Sequence, residues 1–323
     1  MFAVFAESIN PADPLAGLVV GERPEPTGET GWARVEVRAA SLNHHDLWTL
    51  RGVGTSLERL PIILGCDASG VDEDGHEVVV HSVIADPECE DETEDPRRSL
   101  LSEIYPGTFA EYVYVPRRNL LPKPACLTWA EAACLPTAWL TAYRMLATRS
   151  GLRPGDTVLV QGAGGGVASA GIVLARAMGL RVWATSRDEH KRERARQCGA
   201  HDVFRPGQRL PERVDAVLET VGAATWDHSL KALKPGGRIV VSGATSGGNP
   251  PADLVRIFFK QLSVVGSTMG TRDELRRLLK LCEVSGVRPV IDREMPMAQA
   301  RQALAAMAGG EIFGKIVLTL PAA

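Results

Sequence analysis

The fold turns on one stretch, Asp156-Thr-Val-Leu-Val-Gln-Gly-Ala-Gly-Gly-Gly-Val-Ala168. The apolar run from Val158 to Val160 breaks into Gly162, Gly164, Gly165 and Gly166, with only Ala163 between them. The chain resumes as Val167-Ala-Ser-Ala-Gly-Ile-Val-Leu-Ala-Arg176, which reads as a helix. A strand feeding a glycine turn and then a helix aims unpaired backbone N–H groups and a positive dipole end at one point, a ready seat for a dinucleotide pyrophosphate. Gly162-x-x-Gly165-x-x-Ala168 fits a glycine fingerprint whose last position tolerates alanine. Gly164 and Gly165 let the backbone approach phosphate, and Ala168 keeps the helix close to its strand. A turn packed for its own sake would account for the glycines, but not for strand, spacing and helix together.

Outward from this seed, strands and helices alternate. Strands are expected at Val158–Val160, Arg181–Ala184, Asp215–Leu218, Arg238–Val241 and Ser263–Val265, and helices at Val167–Met178, Asp188–Cys198, Thr225–Leu233 and Ala252–Lys260. Lys234-Pro-Gly-Gly237 reads as a turn before the fourth strand. This alternation predicts an α/β fold with a parallel sheet covered on both faces. Up to about residue 120 the chain looks β-rich instead, with Ala33–Arg38, Glu77–His81 and Glu111–Val115 as strands and Asp74-Gly75 as a turn between two of them. Asp86 to Asp95 carries seven acids in ten residues and reads as a solvated loop. The end of the chain holds two amphipathic helices, Arg272–Val284 and Met297–Met307, then a strand, Gly314–Leu320, expected to rejoin the first domain. The predicted domains are thus 1–125 with 270–323, and 126–269.

Composition narrows the class. A net charge of −3 in 323 residues gives no reason to expect nucleic acid or an anionic membrane as partner. No apolar run approaches the roughly 20 residues a bilayer span needs. Met1-Phe-Ala-Val-Phe-Ala-Glu7 lacks a basic leader, so a cytoplasmic location is expected. Cys66, Cys89, Cys126, Cys134, Cys198 and Cys282 are scattered without a C-x-x-C pair, as buried small hydrophobes are.

Cofactor choice is decided after the second strand, in Ala184-Thr-Ser-Arg-Asp-Glu-His-Lys191. An NAD site usually places an acid there for the ribose 2′-OH. Here Ser186 takes that place, Arg187 follows, and Lys191 lies one helical turn on. A hydroxyl beside a guanidinium suits a 2′-phosphate, so NADP(H) is expected over NAD(H). Asp188 either reaches the ribose or caps the next helix.

With these residues placed, the chain resembles the medium-chain dehydrogenase/reductase superfamily, in its zinc-independent quinone-oxidoreductase-like branch. The carriers are Ala40-Ser-Leu-Asn-His-His-Asp46 with Arg51-Gly52, Leu64-Gly-Cys-Asp-Ala-Ser-Gly70, Gly107-Thr-Phe-Ala-Glu-Tyr112, Leu140-Thr-Ala-Tyr143, the glycine loop and Phe313-Gly-Lys-Ile-Val317. The resemblance implies a GroES-like catalytic domain built from both chain ends, a central Rossmann domain, and an active site in the cleft between them. Zinc alcohol dehydrogenases of the superfamily carry Cys-His-x-Asp, Gly-His-Glu and a further cysteine where this chain has Asn43-His44-His45-Asp46, Gly65-Cys66-Asp67 and Thr137. An amide, a thiol and a hydroxyl make a poor zinc set. The lobe for a structural zinc coincides with the acidic stretch and offers only Cys89. No metal is expected. The rival is a rearranged site of His44, His45 and Cys66 completed by Asp67 or Asp46, though adjacent histidines on an extended segment point apart.

The resemblance also implies roles. Asn43 would donate to a substrate carbonyl, and His45, where zinc relatives keep a proton-relay hydroxyl, would supply a proton, unless it is a plain turn histidine. Trp48 would wall the substrate pocket or fill the core. His44 would touch the pyrophosphate. Thr141, with Thr137 nearby, would meet the nicotinamide. Ser242, Gly243 and Ala244, and Gly266, Ser267 and Thr268, lie at carboxyl ends of strands, where this fold binds ligand. Without a Lewis acid nothing strong depresses an alcohol's pKa, whereas an enone needs only hydride, hydrogen-bond donors and a proton. The expected activity is NADPH-dependent reduction of a quinone or α,β-unsaturated carbonyl. A small-molecule quinone, enone or aldehyde would be the partner, in a homodimer formed through the sheet edge near Ser263–Thr268. Two readings compete: a metal-dependent alcohol or aldehyde dehydrogenase with atypical ligands, and a non-catalytic NADPH-binding protein.

Overall fold

A computed structural model describes residues 1–321. The chain forms two compact units: Met1–Ala138 together with the chain from Gly270 onward, and Trp139–Met269.

In the central unit the apolar runs become six parallel strands: β1 (Thr157–Val160), β2 (Arg181–Thr185), β3 (Asp202–Phe204), β4 (Val214–Glu219), β5 (Leu233–Val241) and β6 (Ser263–Gly266). Their order is β3-β2-β1-β4-β5-β6, the doubly wound arrangement that reverses beside the first strand. Val158, Leu159 and Val160 are buried, as strands covered on both faces require. Helix α1 (Gly166–Ala177) follows β1, α2 (Glu189–Gln197) follows β2, α3 (Ala223–Ala232) follows β4 and α4 (Leu254–Phe259) precedes β6. Small residues set how closely α1 lies on the sheet. A Cβ on Gly171 would stand 3.1 Å from the Leu218 side chain of β4.

Among the strands of this sheet, β3 is the one the sequence pattern does not reveal, because three residues are too few for a period. The Lys234–Gly237 turn is present, but as a bulge inside β5. The register against β4 jumps from Val214↔Leu233 to Ala216↔Arg238.

The other unit holds a seven-stranded sheet. Leu120–Pro122, Glu77–Val80, Asp67–Asp72, Trp32–Ser41, Lys315–Thr319 and Ile291–Pro296 lie side by side in that order, and Tyr112–Pro116 also pairs with Trp32–Ser41. The last strand does rejoin the first part of the chain, antiparallel, with Val317 opposite Ser41. The unit boundary falls after Ala138 rather than at 125/126. Ala130, Ala133 and Cys134 pack with Ala39 and Val317, which holds residues 126–138 to this sheet. The acidic segment is a loop, yet not a fully solvated one. Glu92 and Asp95 are buried, and Asp95 accepts from the N–H groups of Asp86 and Arg97 at 2.7 and 2.8 Å.

Candidate active site

The glycine turn shapes a cavity of about 520 Å³ in the central unit. Gly162 and Gly164 hold φ of +73° and +133°, values that favour glycine. A Cβ on Gly162 would meet Val221 at 2.5 Å, and one on Gly164 would meet the Lys191 chain at 2.9 Å, so two walls close onto the turn. Gly165 precedes α1, whose first N–H groups have no partner within the helix. Such unpaired N–H groups at a helix N-terminus favour an anion.

The end of β2 closes one side of the same cavity. Ser186, Arg187, Asp188 and Lys191 all line it, Ser186 buried and Arg187 exposed. Asp188 caps α2, accepting from Lys191 N–H at 3.1 Å, and that bond holds its carboxyl below the ordinary range. Of the two roles open to it, capping is the one its geometry shows. Arg192, which sequence reasoning passed over, donates from one guanidinium nitrogen to the carbonyls of Ser186 and Arg187 at 2.9 and 3.1 Å. This fixes the loop that presents them. Pro206, Val221, Ala224, Thr225, Thr245 and Ser246 complete the wall. They follow β3, β4 and β5, and carry no sequence signature of their own.

The remaining candidates of this unit lie elsewhere. Gly166 and Val167 open α1 just behind the turn. Ser242, Gly243 and Ala244 follow β5, and Gly266, Ser267 and Thr268 end β6 or follow it, all outside the cavity wall. Thr141 is buried in the helix Leu140–Arg144.

In the other unit, Asn43 and the two histidines sit at the start of a helix, His44–Leu50, rather than on an extended segment. The helix still sends them apart, leaving His44 exposed and His45 buried. Asp46 accepts from Asn43 N–H at 2.8 Å. Burial pushes the Asp46 carboxyl up to about 6, and its Oδ1 has no partner.

His45 bonds at both nitrogens: Nδ1 stands 3.1 Å from Cys66 Sγ and Nε2 3.1 Å from Glu103 Oε1. The other oxygen of Glu103 accepts from Leu100 N–H at 2.8 Å. Against burial, which would raise it, these bonds hold the Glu103 carboxyl below its usual range. Asn43 is locked as well. Its Oδ1 accepts from Lys315 Nζ at 2.6 Å, while its Nδ2 donates to Asp67 Oδ2 at 2.8 Å and lies 3.4 Å from Ser41 O. The donors expected to meet a substrate carbonyl are thus turned inward. Trp48 remains 39% exposed, available as a wall and not part of the core.

These residues do not fit a tetrahedral zinc. Burial, with Asp46, Asp67 and Glu103 adding to it, raises the Cys66 thiol well above its ordinary value, and its Sγ is already held by His45 Nδ1 at 3.1 Å and the Leu101 carbonyl at 3.2 Å. Asn43 is spent on Lys315 and Asp67, and Thr137 offers one buried, unpartnered hydroxyl. Of the expected rearranged site, His45, Cys66 and Asp46 come together, their ligand atoms within 4.8 Å of one another, and His44 is not in the group. The His45–Cys66 separation of 3.1 Å is a hydrogen bond's. Two tetrahedral ligands at zinc distances would stand about 3.5 Å apart.

Two family models match the chain. Residues 29–125 match the alcohol dehydrogenase GroES-like domain and residues 166–284 the zinc-binding dehydrogenase family. The chain is 30% identical to an acryloyl-coenzyme A reductase of Metallosphaera sedula, over 94% of this chain and 96% of that one. It is 27% identical to a quinone oxidoreductase of Mus musculus, over 91% of each. Among solved structures, an NAD-dependent alcohol dehydrogenase superposes with a TM-score of 0.92 at 35% identity, covering 99% of this chain and 100% of that one.

Proposed function

The chain belongs to the medium-chain dehydrogenase/reductase superfamily, whose oxidoreductases use a nicotinamide cofactor, and on that footing we propose that it reduces an α,β-unsaturated carbonyl or a quinone with NADPH and without catalytic zinc. The observation that carries this is the donor set at Asn43, Cys66 and Thr137, in which Cys66 Sγ is held by His45 Nδ1 and the Leu101 carbonyl and the amide is tied to Lys315. Such a set offers no Lewis acid to ionise an alcohol. A conjugated carbonyl is electrophilic already. Acryloyl-coenzyme A reductase and quinone oxidoreductase among the relatives act on compounds of this kind.

When bound, the cofactor supplies a hydride. The protein's residues do the rest. Unpaired N–H groups at the glycine turn hold the pyrophosphate, and Ser186, Arg187 and Lys191 take the 2′-phosphate through charge-assisted bonds. His45, oriented between Cys66 and Glu103, holds the proton that the developing enolate needs and must open one of these two bonds to deliver it. Hydride and proton together saturate the C=C bond. Asn43, bound at both ends, positions the backbone of this cluster and does not itself touch the carbonyl. The edge of β6 is the proposed dimer contact.

The test is a cofactor-consumption screen with NADPH and NADH against quinones, enones, aldehydes and alcohols, paired with metal analysis of the purified protein. NADPH-dependent, chelator-insensitive turnover of enones or quinones is expected. Chelator-sensitive oxidation of alcohols would replace this reading with a metal-dependent one, and tight NADPH binding with no turnover would leave a non-catalytic protein.

A further inference from the structure

Beneath the cavity runs a chain of buried hydrogen bonds that ends on one carboxylate. Gly162 N–H donates to Thr185 Oγ1 at 3.3 Å, and the Thr185 hydroxyl donates to Gln161 Oε1 at 2.6 Å. Gln161 Nε2 donates to Ser229 Oγ at 3.0 Å, and the Ser229 hydroxyl donates to Glu219 Oε2 at 2.6 Å. Every bond runs the same way, from the glycine turn to Glu219. Thr185, Gln161, Ser229 and Glu219 are all fully buried. The other oxygen of Glu219 accepts from the N–H groups of Val221 and Gly222 at 2.8 and 3.0 Å, and the Thr225 hydroxyl lies 2.9 and 3.0 Å from the two carboxylate oxygens. Val221 and Thr225 line the cavity, and Val221 is the side chain against which Gly162 must stay bare. Glu219 therefore reaches Gly162 by two routes, one through the relay and one through the turn it caps.

We propose that Glu219 is the positioning residue of the nucleotide site, setting the glycine turn and the facing Val221–Thr225 wall at their working distance before the cofactor arrives. The inference rests on reading the glycine-turn cavity as that site. A relay with one direction is sensitive to a reversal at its end. In Glu219→Gln the N–H groups of Val221 and Gly222 keep the amide oxygen on their side, so the amide N–H₂ group faces Ser229. Ser229 then accepts where it donated, and its proton meets Gln161 Nε2, a donor. Gln161 must turn over, which puts its oxygen against His228 Nδ1, now 3.2 Å from Nε2. Thr185, already accepting from Gly162, must also accept from Gln161, and its own proton is left without a partner. The defect ends under the turn.

The experiment measures dissociation constants for NADPH and NADH by titration calorimetry on the full chain, with melting temperatures in parallel. Glu219→Gln should weaken NADPH at least tenfold. Ile239→Ala, a buried apolar change on β5 in the core cluster with Leu159, Val217 and Leu230, should lower the melting temperature while leaving NADPH binding within twofold. Ser229→Ala and Thr185→Val should each weaken binding, and the double variant should be no worse than the weaker single one, as expected of one relay. Unchanged binding in Glu219→Gln, weakening in Ile239→Ala in step with its loss of stability, or strict additivity in the double variant would each overturn the proposal. Wild-type protein that binds neither nucleotide would overturn the reading of the cavity itself, a distinct outcome.

Discussion

His45 Nε2 stands 3.1 Å from a carboxylate oxygen of Glu103, on a loop residue 58 positions away in the chain. The pair lies where metal-bearing relatives are expected to keep a hydroxyl, and it gives this protein a held imidazole in its place. With Cys66 on the other nitrogen, the ring has one orientation. His45→Ala should lower enone turnover by about a hundredfold or more, the scale of a lost general acid, and leave NADPH affinity nearly intact. Glu103→Gln keeps the shape and loses the charge, and should cost about tenfold. Steady-state kinetics with saturating NADPH checks both. Unchanged turnover in His45→Ala would remove the assignment.

Cofactor preference should follow Arg187. Charge-assisted hydrogen bonds are worth about 1.5–3 kcal/mol, so Arg187→Ala should weaken NADPH by roughly ten- to a hundredfold and NADH hardly at all. Ser186→Asp should shift preference toward NADH by repelling the 2′-phosphate and accepting from a ribose hydroxyl. Equal weakening of both cofactors by Arg187→Ala would show that the guanidinium does not read the 2′ position.

Asp46 makes a prediction about pH. Its folded pKa of about 6 lies above the ordinary value of 3.8, so the folded state binds the proton more tightly than the unfolded chain. Its contribution favours folding fully below pH 3.8 and is lost as pH rises through about 6. Asp46→Asn can still accept from Asn43 N–H and carries no buried charge. It should therefore raise the melting temperature at pH 7.5 relative to wild type, with the difference shrinking toward pH 4. A variant less stable than wild type at pH 7.5 would contradict this.

What the sequence disclosed, and what it did not, follows from the range of the interactions. The glycine turn was legible because strand, turn and helix are contiguous and each glycine answers a local backbone demand. Ser186 and Arg187 were legible because they follow β2 directly. Glu103 was not, since nothing near it signals that its loop folds back onto His45. Lys315 could be placed in a family pattern, yet not on Asn43, its partner 272 positions earlier. Asn43 shows the same limit in reverse. Its place beside the two histidines is plain in the sequence, but the direction of its amide depends on Asp67 and Lys315, which meet it only in the fold. The relay from Gly162 to Glu219 joins the ends of three strands and one helix, and no single segment carries its pattern.

Lys315 should be costly to remove. Its ammonium is buried, donates to Asn43 Oδ1 and the Leu42 carbonyl, and lies 3.4 Å from Asp67 Oδ2. Lys315→Met leaves Asp67 buried without its cation, a change that costs about 3–5 kcal/mol. Lys315→Met with Asp67→Asn removes both charges and should recover more than half of that. Urea denaturation at pH 7.5 compares the three proteins. A double variant as unstable as the single one would mean that the ammonium acts through Asn43 and not through charge.

The sheet edge offers the last prediction. Strand β6 pairs with β5 on one side and with no strand on the other among the described residues. Beside it α4 exposes Phe258 and Phe259, the latter 80% accessible, and β6 itself exposes Val264. An unpaired edge flanked by bare aromatic surface is a poor arrangement for a lone chain in water. A second copy meeting it across a twofold axis would cover both, pairing edge with edge and ring with ring. Phe259→Glu with Val264→Arg should therefore convert a dimer to a monomer in light scattering while leaving the circular dichroism of the fold unchanged. A wild-type chain that runs as a monomer at micromolar concentration, or a variant that stays dimeric, would put the contact elsewhere.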